Sequence, residues 1–500
     1  MKNKKTLHLA IALAISSMPL FGVAEAARGS MYGGESVGDD VTIEASANAY
    51  PSLVGHAFGI YTNVTNSATV TSAGNRLTIT TTGEAGDGIR SNPSGNSDWQ
   101  NATGTINIGN DLTITVSGNS ADGLNINGST VLNIGDNATI NTLYNGELKY
   151  SNGDTSDGAH AVRANFHATI NIGDGLTAGT LGESSHAVYA AQGRSTTNPT
   201  GGSKINIGKG AVLSTAGDGS HTVMMASNNG KIVIEMTTLG DGSHGVAAYA
   251  DTSAKGSVAN GAVEIGAGST IATAGDGSHG VFANMTGSVL SLDDNVGITT
   301  EGDASHGLLA QRGIIEAGDG LNISVEGSGS HGAYVNAATG SIEFLGGATI
   351  DNNDNDGYAI YADKGTITGT AGNSTFNITG NMYADNSGSI DLDMDNNSVF
   401  TGSTALANSG TINLNLKNNS YWHVTSSSEV SSLHVSGGSM VNLSHEAGMN
   451  TVVTVDDLSG SGGVFKFNTE LDSEANGDKL VINSSETGST HYVHVNDLSL

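Results

Sequence analysis

The stretch Lys204-Ile205-Asn206-Ile207-Gly208-Lys209-Gly210-Ala211-Val212-Leu213-Ser214-Thr215-Ala216-Gly217-Asp218-Gly219-Ser220-His221-Thr222-Val223 holds one complete structural unit. Ile205 and Ile207 fall on one side of the chain and Asn206 on the other, the alternation of a strand. Gly208-Lys209-Gly210 turns, and Val212 begins a second short strand. Gly217-Asp218-Gly219 turns again, and a third strand follows with Val223 and Met225. Three short strands, two tight glycine turns and no helical stretch make one coil of a β-helix.

The same unit recurs along the chain. Its glycine box returns as Gly240-Asp241-Gly242-Ser243-His244-Gly245-Val246, Gly275-Asp276-Gly277-Ser278-His279-Gly280-Val281, Gly302-Asp303-Ala304-Ser305-His306-Gly307-Leu308 and Gly327-Ser328-Gly329-Ser330-His331-Gly332. Looser copies carry His160 and His186. Weaker ones lie at Asp87-Gly88-Ile89, Asp122-Gly123-Leu124 and Asp356-Gly357-Tyr358. Its strand half recurs as Ile106-Asn107-Ile108-Gly109, Leu132-Asn133-Ile134-Gly135, Ile170-Asn171-Ile172-Gly173 and Val263-Glu264-Ile265-Gly266. Aligned histidines lie 23 to 35 residues apart, a solenoid period with loops of varying length.

These features predict an all-β chain, a right-handed parallel β-helix (solenoid) of short three-strand coils. One coil cannot bury its few Ile and Val residues alone, whereas stacked coils bury them in a continuous interior. Glycine supplies the positive φ of the corners. Proline is scarce, 4 of 500 residues, because a strand with neighbours on both sides needs its N–H groups. Asn107, Asn133, Asn171 and Asn206 sit at matching places and predict a stacked amide ladder. A β-sandwich array is the rival fold; it calls for longer alternating strands joined by Asn-Gly or Asp-Gly hairpins.

From about Gly369 the Ser-His box stops and longer strands appear, among them Ser389-Ile390-Asp391-Leu392-Asp393-Met394 and Thr411-Ile412-Asn413-Leu414-Asn415-Leu416. There follow Asn419-Ser420-Tyr421-Trp422-His423-Val424, Ser432-Leu433-His434-Val435-Ser436-Gly437-Gly438, Leu458-Ser459-Gly460-Ser461-Gly462-Gly463-Val464-Phe465-Lys466-Phe467 and Gly477-Asp478-Lys479-Leu480-Val481-Ile482. In this order, from Asn419 to Asn496, the run resembles the C-terminal passenger section of pertactin-like, AIDA-type autotransporters of type V secretion. The resemblance implies a β-helix passenger whose last coils cap the stack and help it fold. It also implies an outer-membrane β-barrel, which this sequence does not contain up to Leu500. The organisation expected is a signal peptide over 1–26, a repetitive β-helix passenger over 27–368 and a pertactin-like capping section over 369–500.

The N-terminus agrees with export. Lys2, Lys4 and Lys5 precede an apolar run from Leu7 to Val23, and Ala24-Glu25-Ala26 offers a cleavage site after Ala26. The chain has no cysteine, so disulfides do not stabilise it. A formal charge of −30 disfavours nucleic acid and anionic membranes as partners.

Three motifs invite a chemical reading. The histidines at 160, 186, 221, 244, 279, 306 and 331 could line one edge and bind a metal, or serve as turn residues whose rings stack and bond the backbone. Gly34-Glu35-Ser36-Val37-Gly38 matches a nucleophile elbow, but a strand-like Val41-Thr42-Ile43 follows where a helix is required. Asn352-Asn353-Asp354-Asn355-Asp356-Gly357, with Asp363 in twelfth place, looks like a calcium loop without its first Asp or its helices. Polysaccharide lyases and glycosidases need clustered carboxylates with a basic partner; Lys and Arg total only 18, with no such cluster. No catalytic, cofactor-binding or metal residue is assigned, and no cofactor is expected.

The expectation is therefore a non-enzymatic, surface-exposed adhesin-like rod for adhesion, autoaggregation or biofilm formation. Its partners would be host-cell or bacterial surface molecules or other copies of itself. It would be exported, at the cell surface if joined to a barrel and periplasmic otherwise. The alternatives are a carbohydrate-active β-helix enzyme and a truncated, non-functional autotransporter fragment.

Overall fold

The computed structural model describes residues 31–45, 58–64, 69–83, 86–93, 103–144, 158–190, 203–225, 230–249, 262–352, 356–369, 375–443, 450–470 and 476–499. The expected signal peptide and its cleavage site lie outside them. The chain forms two compact units, Met1–Leu290 and Ser291–Leu500. Among the described residues the regular elements are all strands.

In the first unit, strands adjacent in sequence do not pair with one another. The coil of Ser129–Ile134, Thr139–Thr142 and Val162–Ala164 lies on the coil of Thr169–Ile172, Thr177–Thr180 and Val188–Ala190. The three pairs run parallel, with Leu132 opposite Ile170, Ile140 opposite Ala178 and Val162 opposite Val188. Pairing three strands onward, always parallel, makes a parallel β-helix and leaves no place for the hairpins of a sandwich.

The registers put like over like. Ile106, Leu132, Ile170 and Ile205 form one inward column and none is solvent-exposed. Each such side chain contributes about 1.5–3 kcal/mol on leaving water. On the opposite side of the same strand the asparagines form the ladder the sequence predicts. The amides of Asn133, Asn171 and Asn206 each donate to the side-chain oxygen of the asparagine one coil back, at 2.8 Å.

One local expectation is corrected. Gly208-Lys209-Gly210 does not end a strand: Lys204–Thr215 runs on as one element. It pairs with the coil before over Lys204–Ile207 and again over Val212–Thr215, and its pairing with the coil after shifts register between Ile207 and Ala211, so the bend lies within one strand as a bulge. Gly210 takes φ +69° there.

The box glycines do two different jobs. Gly219, Gly242 and Gly277 have φ of +64°, +63° and +65° and turn the corner. Two residues earlier, the constraint is close approach: a Cβ on Gly275 would lie 2.0 Å from the Gly240 carbonyl oxygen. Gly275→Ala is expected to cost about 1–3 kcal/mol by overpacking against backbone that cannot move aside. Gly277→Ala should cost less, because its Cβ would meet nothing within 4 Å and Ala304 holds the equivalent corner at φ +51°. Thermal unfolding of the two variants side by side checks the order.

In the second unit the third strands run through Leu308–Ala310, Ala333–Val335, Ile360–Asp363, Met382–Asp385 and Thr404–Leu406. Beyond them third and first strands merge into Ser428–Val435 and Val452–Ser459. In the former, Val430 and Leu433 are both buried, and Ser431-Ser432 between them shifts the alternation. Between Asn386 and Asn419 the corners are held by residues other than glycine. Asn396-Asn397, Asn408-Ser409 and Asn418-Asn419 take φ between +44° and +66°, since a short polar side chain tolerates the left-handed region. Trp422, Phe344, Phe376, Phe400 and Phe465 fill the interior and are fully or almost fully buried.

Candidate binding face

The third strand and the box before it carry the titratable and aromatic groups. The box is fixed by two ladders of opposite sense. In one, the backbone N–H of Ser185, Ser220 and Ser243 donates to the serine hydroxyl one coil onward, at 2.9–3.0 Å. In the other, the backbone N–H of His186, His221, His244 and His279 donates to the imidazole Nδ1 one coil back, at 2.9–3.0 Å. The rings stack at 4.7–5.0 Å with planes within 9° of parallel. The second unit repeats the arrangement with His331 on His306, at 3.0 Å and with rings 4.8 Å apart.

This geometry sets the protonation state. An Nδ1 that accepts an N–H is unprotonated, so these imidazoles are neutral with the proton on Nε2. Burial holds His221 and His279 down to about 3 and His160 and His186 well below the ordinary value. The Nδ1 of His160, His186, His221, His244, His306 and His331 is occupied by backbone, and among the described residues no three of His, Asp or Glu group around a metal position. The histidines are coil-to-coil connectors.

The rung extends to residues the repeat only hinted at. Asp122 donates its N–H to the Asp87 carboxylate, and His160 donates its own to Asp122, both at 2.8 Å. Both carboxylates are buried, and burial pushes Asp87 upward and Asp122 to about 8 against the pull of Arg90 and Arg163. In the second unit Tyr358 takes the histidine place and donates its N–H to His331 Nδ1 at 3.0 Å. The signal for all three was the residue two before each third strand's first apolar position.

Beside the rung, the middle residue of each third strand alternates with the inward-facing ones; Tyr61, Asn125, Tyr189, Ala247, Phe282 and Leu309 are nonetheless buried, and the others are partly or fully open to solvent. Registers align Tyr61, Arg90, Asn125, Arg163, Tyr189, Met224, Ala247 and Phe282 in the first unit. In the second unit they align Leu309, Tyr334, Tyr361, Tyr383 and Ala405. The Arg90 guanidinium bonds Asp87 at 3.0 Å and lies 5.3 Å over the Phe58 ring. Arg163 lies 3.6 Å from Asp122 and 5.4 Å over the Tyr189 ring. Tyr334 and Tyr361 stack at 4.7 Å, and Tyr383 packs 5.1 Å from both Tyr358 and Tyr361. No periodicity in the sequence distinguished this column, because its residues change from coil to coil.

The other motifs are placed as follows. Ser36 lies in the two-residue strand Ser36–Val37, exposed, and accepts the Ser72 hydroxyl at 2.9 Å; the next element is the strand Thr42–Ala45. Asn352 is buried and its amide donates to the Ser330 and Tyr358 carbonyls at 2.9 and 2.7 Å, so it ties the turn instead of facing a cation. Residues 353–355 of that loop lie outside the described residues. Asp363 accepts the Asn386 amide at 2.9 Å.

Fold and face together define a parallel β-helix solenoid with a constant interior rung and a variable outer column. The fold is similar to that of a chain in the cryo-EM structure of the Vag8–C1 inhibitor complex, with a TM-score of 0.52 and 15% identity over 95% of this chain and 100% of that one. No protein-family profile matches the sequence. No curated protein matches it either.

Proposed function

We propose that the chain is the exported passenger of an autotransporter and acts at the cell surface as a non-enzymatic, adhesin-like β-helix. The observation that carries this reading is the contrast between the two columns of the third-strand region. The inner rung repeats Ser and His coil after coil, while the neighbouring column changes from coil to coil, and Arg90, Arg163, Met224, Tyr334, Tyr361 and Tyr383 in it are partly open to solvent. A constant scaffold under a varying outer column suits recognition by many small contacts in parallel. The parallel β-helix also fits the motifs of the 369–500 section that resemble pertactin-like passengers. Partners would be host-cell or bacterial surface molecules, or further copies of the chain.

Displaying the chain on cells through an outer-membrane barrel tests the reading. Autoaggregation, biofilm or host-cell attachment above a barrel-only control is the expected result, and equality with that control overturns it. Screening the purified chain against polysaccharides tests the non-enzymatic part; turnover that disappears on changing a single Asp or Glu would make it a carbohydrate-active enzyme.

A further inference from the structure

The outer column of the second unit ends in a step. Tyr334, Tyr361 and Tyr383 follow one another in register, and the next residue in the column is Ala405, which is exposed. Tyr358 and Tyr361 cover one side of the Tyr383 ring. On the other side a methyl group stands where a ring stood in the coils before, and it is too small to cover the face. Tyr383 thus offers an open aromatic face.

Two carboxylates accompany that face. Asp385 is two residues along the same strand, and Asp363 is its register partner one coil back. Asp385 is held by neutral donors: the Asn386 N–H at 2.7 Å and the Asn408 amide at 2.8 Å. These bonds fix its position and leave its charge uncancelled. Among the described residues no lysine or arginine forms an ion pair with it; Lys364 lies 3.5 Å from Asp363. Asp363 and Asp385 also push the phenols of Tyr361 and Tyr383 upward after the effect of burial, as a negative local potential should.

The first unit shows what such a place accepts. On the same column of its own coils, Arg163 lies over the Tyr189 ring and beside Asp122, and Arg90 lies over Phe58 and bonds Asp87. A guanidinium is planar, stacks on an aromatic face and bonds a carboxylate at the same time, which an ammonium does less well. At Tyr383 the ring and the carboxylates are present and the guanidinium is not.

We propose that the open face of Tyr383, with Asp385 and Asp363, is a docking point for an arginine side chain of a protein partner. The proposal rests on the reading of the chain as a binding β-helix and names the chemistry of one contact. Arginine is favoured over a neutral sugar because a sugar would meet the ring but leave the charge of Asp385 uncompensated; Asp363 already has Lys364 beside it.

Binding of an arginine hexapeptide to the purified chain, followed by calorimetry, tests it. Tyr383→Ala, which leaves the charge unchanged, should weaken binding about fivefold, as should Asp385→Asn, while Tyr383→Phe keeps the ring and most of the affinity. A lysine hexapeptide should bind more weakly and lose less on Tyr383→Ala. Asp456→Asn, an exposed acidic change in a distant coil, should leave arginine-peptide affinity as it was. Equal affinity of the Tyr383→Ala and unaltered chains would overturn the proposal, since attraction would then come from net charge alone. So would displacement of the peptide by a neutral oligosaccharide with higher affinity. Circular dichroism on each variant excludes loss of fold as the cause. Peptide binding that depends on Tyr383 in a chain that mediates no cell attachment would retain the docking point and remove adhesion.

Discussion

The first unit should lose stability steeply as the pH falls from about 6.5 towards 4, well before most carboxylates titrate. Its histidines are buried, and the stack has no room for a second proton where the Nδ1 of His160, His186, His221 and His244 each already accepts a backbone N–H. His221 and His279 are held at about 3 in the folded chain. In the unfolded chain they titrate near the ordinary 6.5. Their folded value is depressed, so the stability they confer is fully present above 6.5. It is lost as the pH drops through the interval down to 3, because only the unfolded chain takes up protons there. At about pH 5 this amounts to about 2 kcal/mol for each of the two. His160 and His186 act in the same direction. Asp87 and Asp122, whose carboxyls burial raises, work the other way, Asp122 with its value of about 8 throughout this range. Four histidines against two carboxyls leave the acid side as the unstable one. Urea unfolding at about pH 7 and about pH 5 measures the difference. Replacing both His221 and His279 with Asn keeps a side-chain oxygen in the role that Asp122 fills for His160 and removes two titrating groups. That variant should lose a smaller share of its stability on acidification. A pH profile unchanged by the replacement would mean that the drop arises elsewhere.

How much of this was legible in the sequence differs from feature to feature. The coil was readable from Lys204 to Val223 because strand alternation and turn glycines are local signals. The asparagine ladder was readable because in-register stacking puts Asn107 over Asn133, and identical residues at a fixed phase leave a visible trace. The histidine rung was visible as a repeat with two readings, a metal edge or stacked rings that bond the backbone, and the structure shows the second. Whether Nδ1 meets a metal or a backbone N–H depends on the phase between one coil and the next, which spacings of 23 to 35 residues leave open. The Asp87 and Asp122 rungs were half hidden because the ladder needs an acceptor atom, not an imidazole. The outer column was hidden altogether. Tyr334, Tyr361 and Tyr383 come together only through register, with intervening loops that erase any simple period. The bend at Gly208–Gly210 was misread as a strand break because glycine signals a corner without saying whether pairing continues through it.

Trp422→Ala should open the coils around it, and the loss should stay local. The indole is fully buried, stacks on Phe400 at 5.7 Å and donates its Nε1 hydrogen to the Gly402 carbonyl at 3.0 Å. It faces Phe400 in the coil before and Val441 in the coil after, so one side chain joins two interfaces. Removing a buried Trp costs about 3–5 kcal/mol, the spread reflecting how far the cavity can collapse. Here collapse is limited, because parallel pairing on both sides fixes the coil spacing. In a stack where each coil touches only its neighbours, a deficit of this size acts first on the adjoining interfaces. Amide exchange should therefore accelerate in Val399–Gly402, Tyr421–Val424 and Met440–Asn442. Strands such as Ile314–Ala317, more distant in the same unit, should keep their protection. Trp422→Phe retains a ring against Phe400 and should recover most of the protection while losing the bond to Gly402. Uniform acceleration across the whole unit would show instead that its coils unfold as one body. The merged strands Ser428–Val435 and Val452–Ser459 would then be binding the coils into a single cooperative block, a stiffness that short separate strands do not provide.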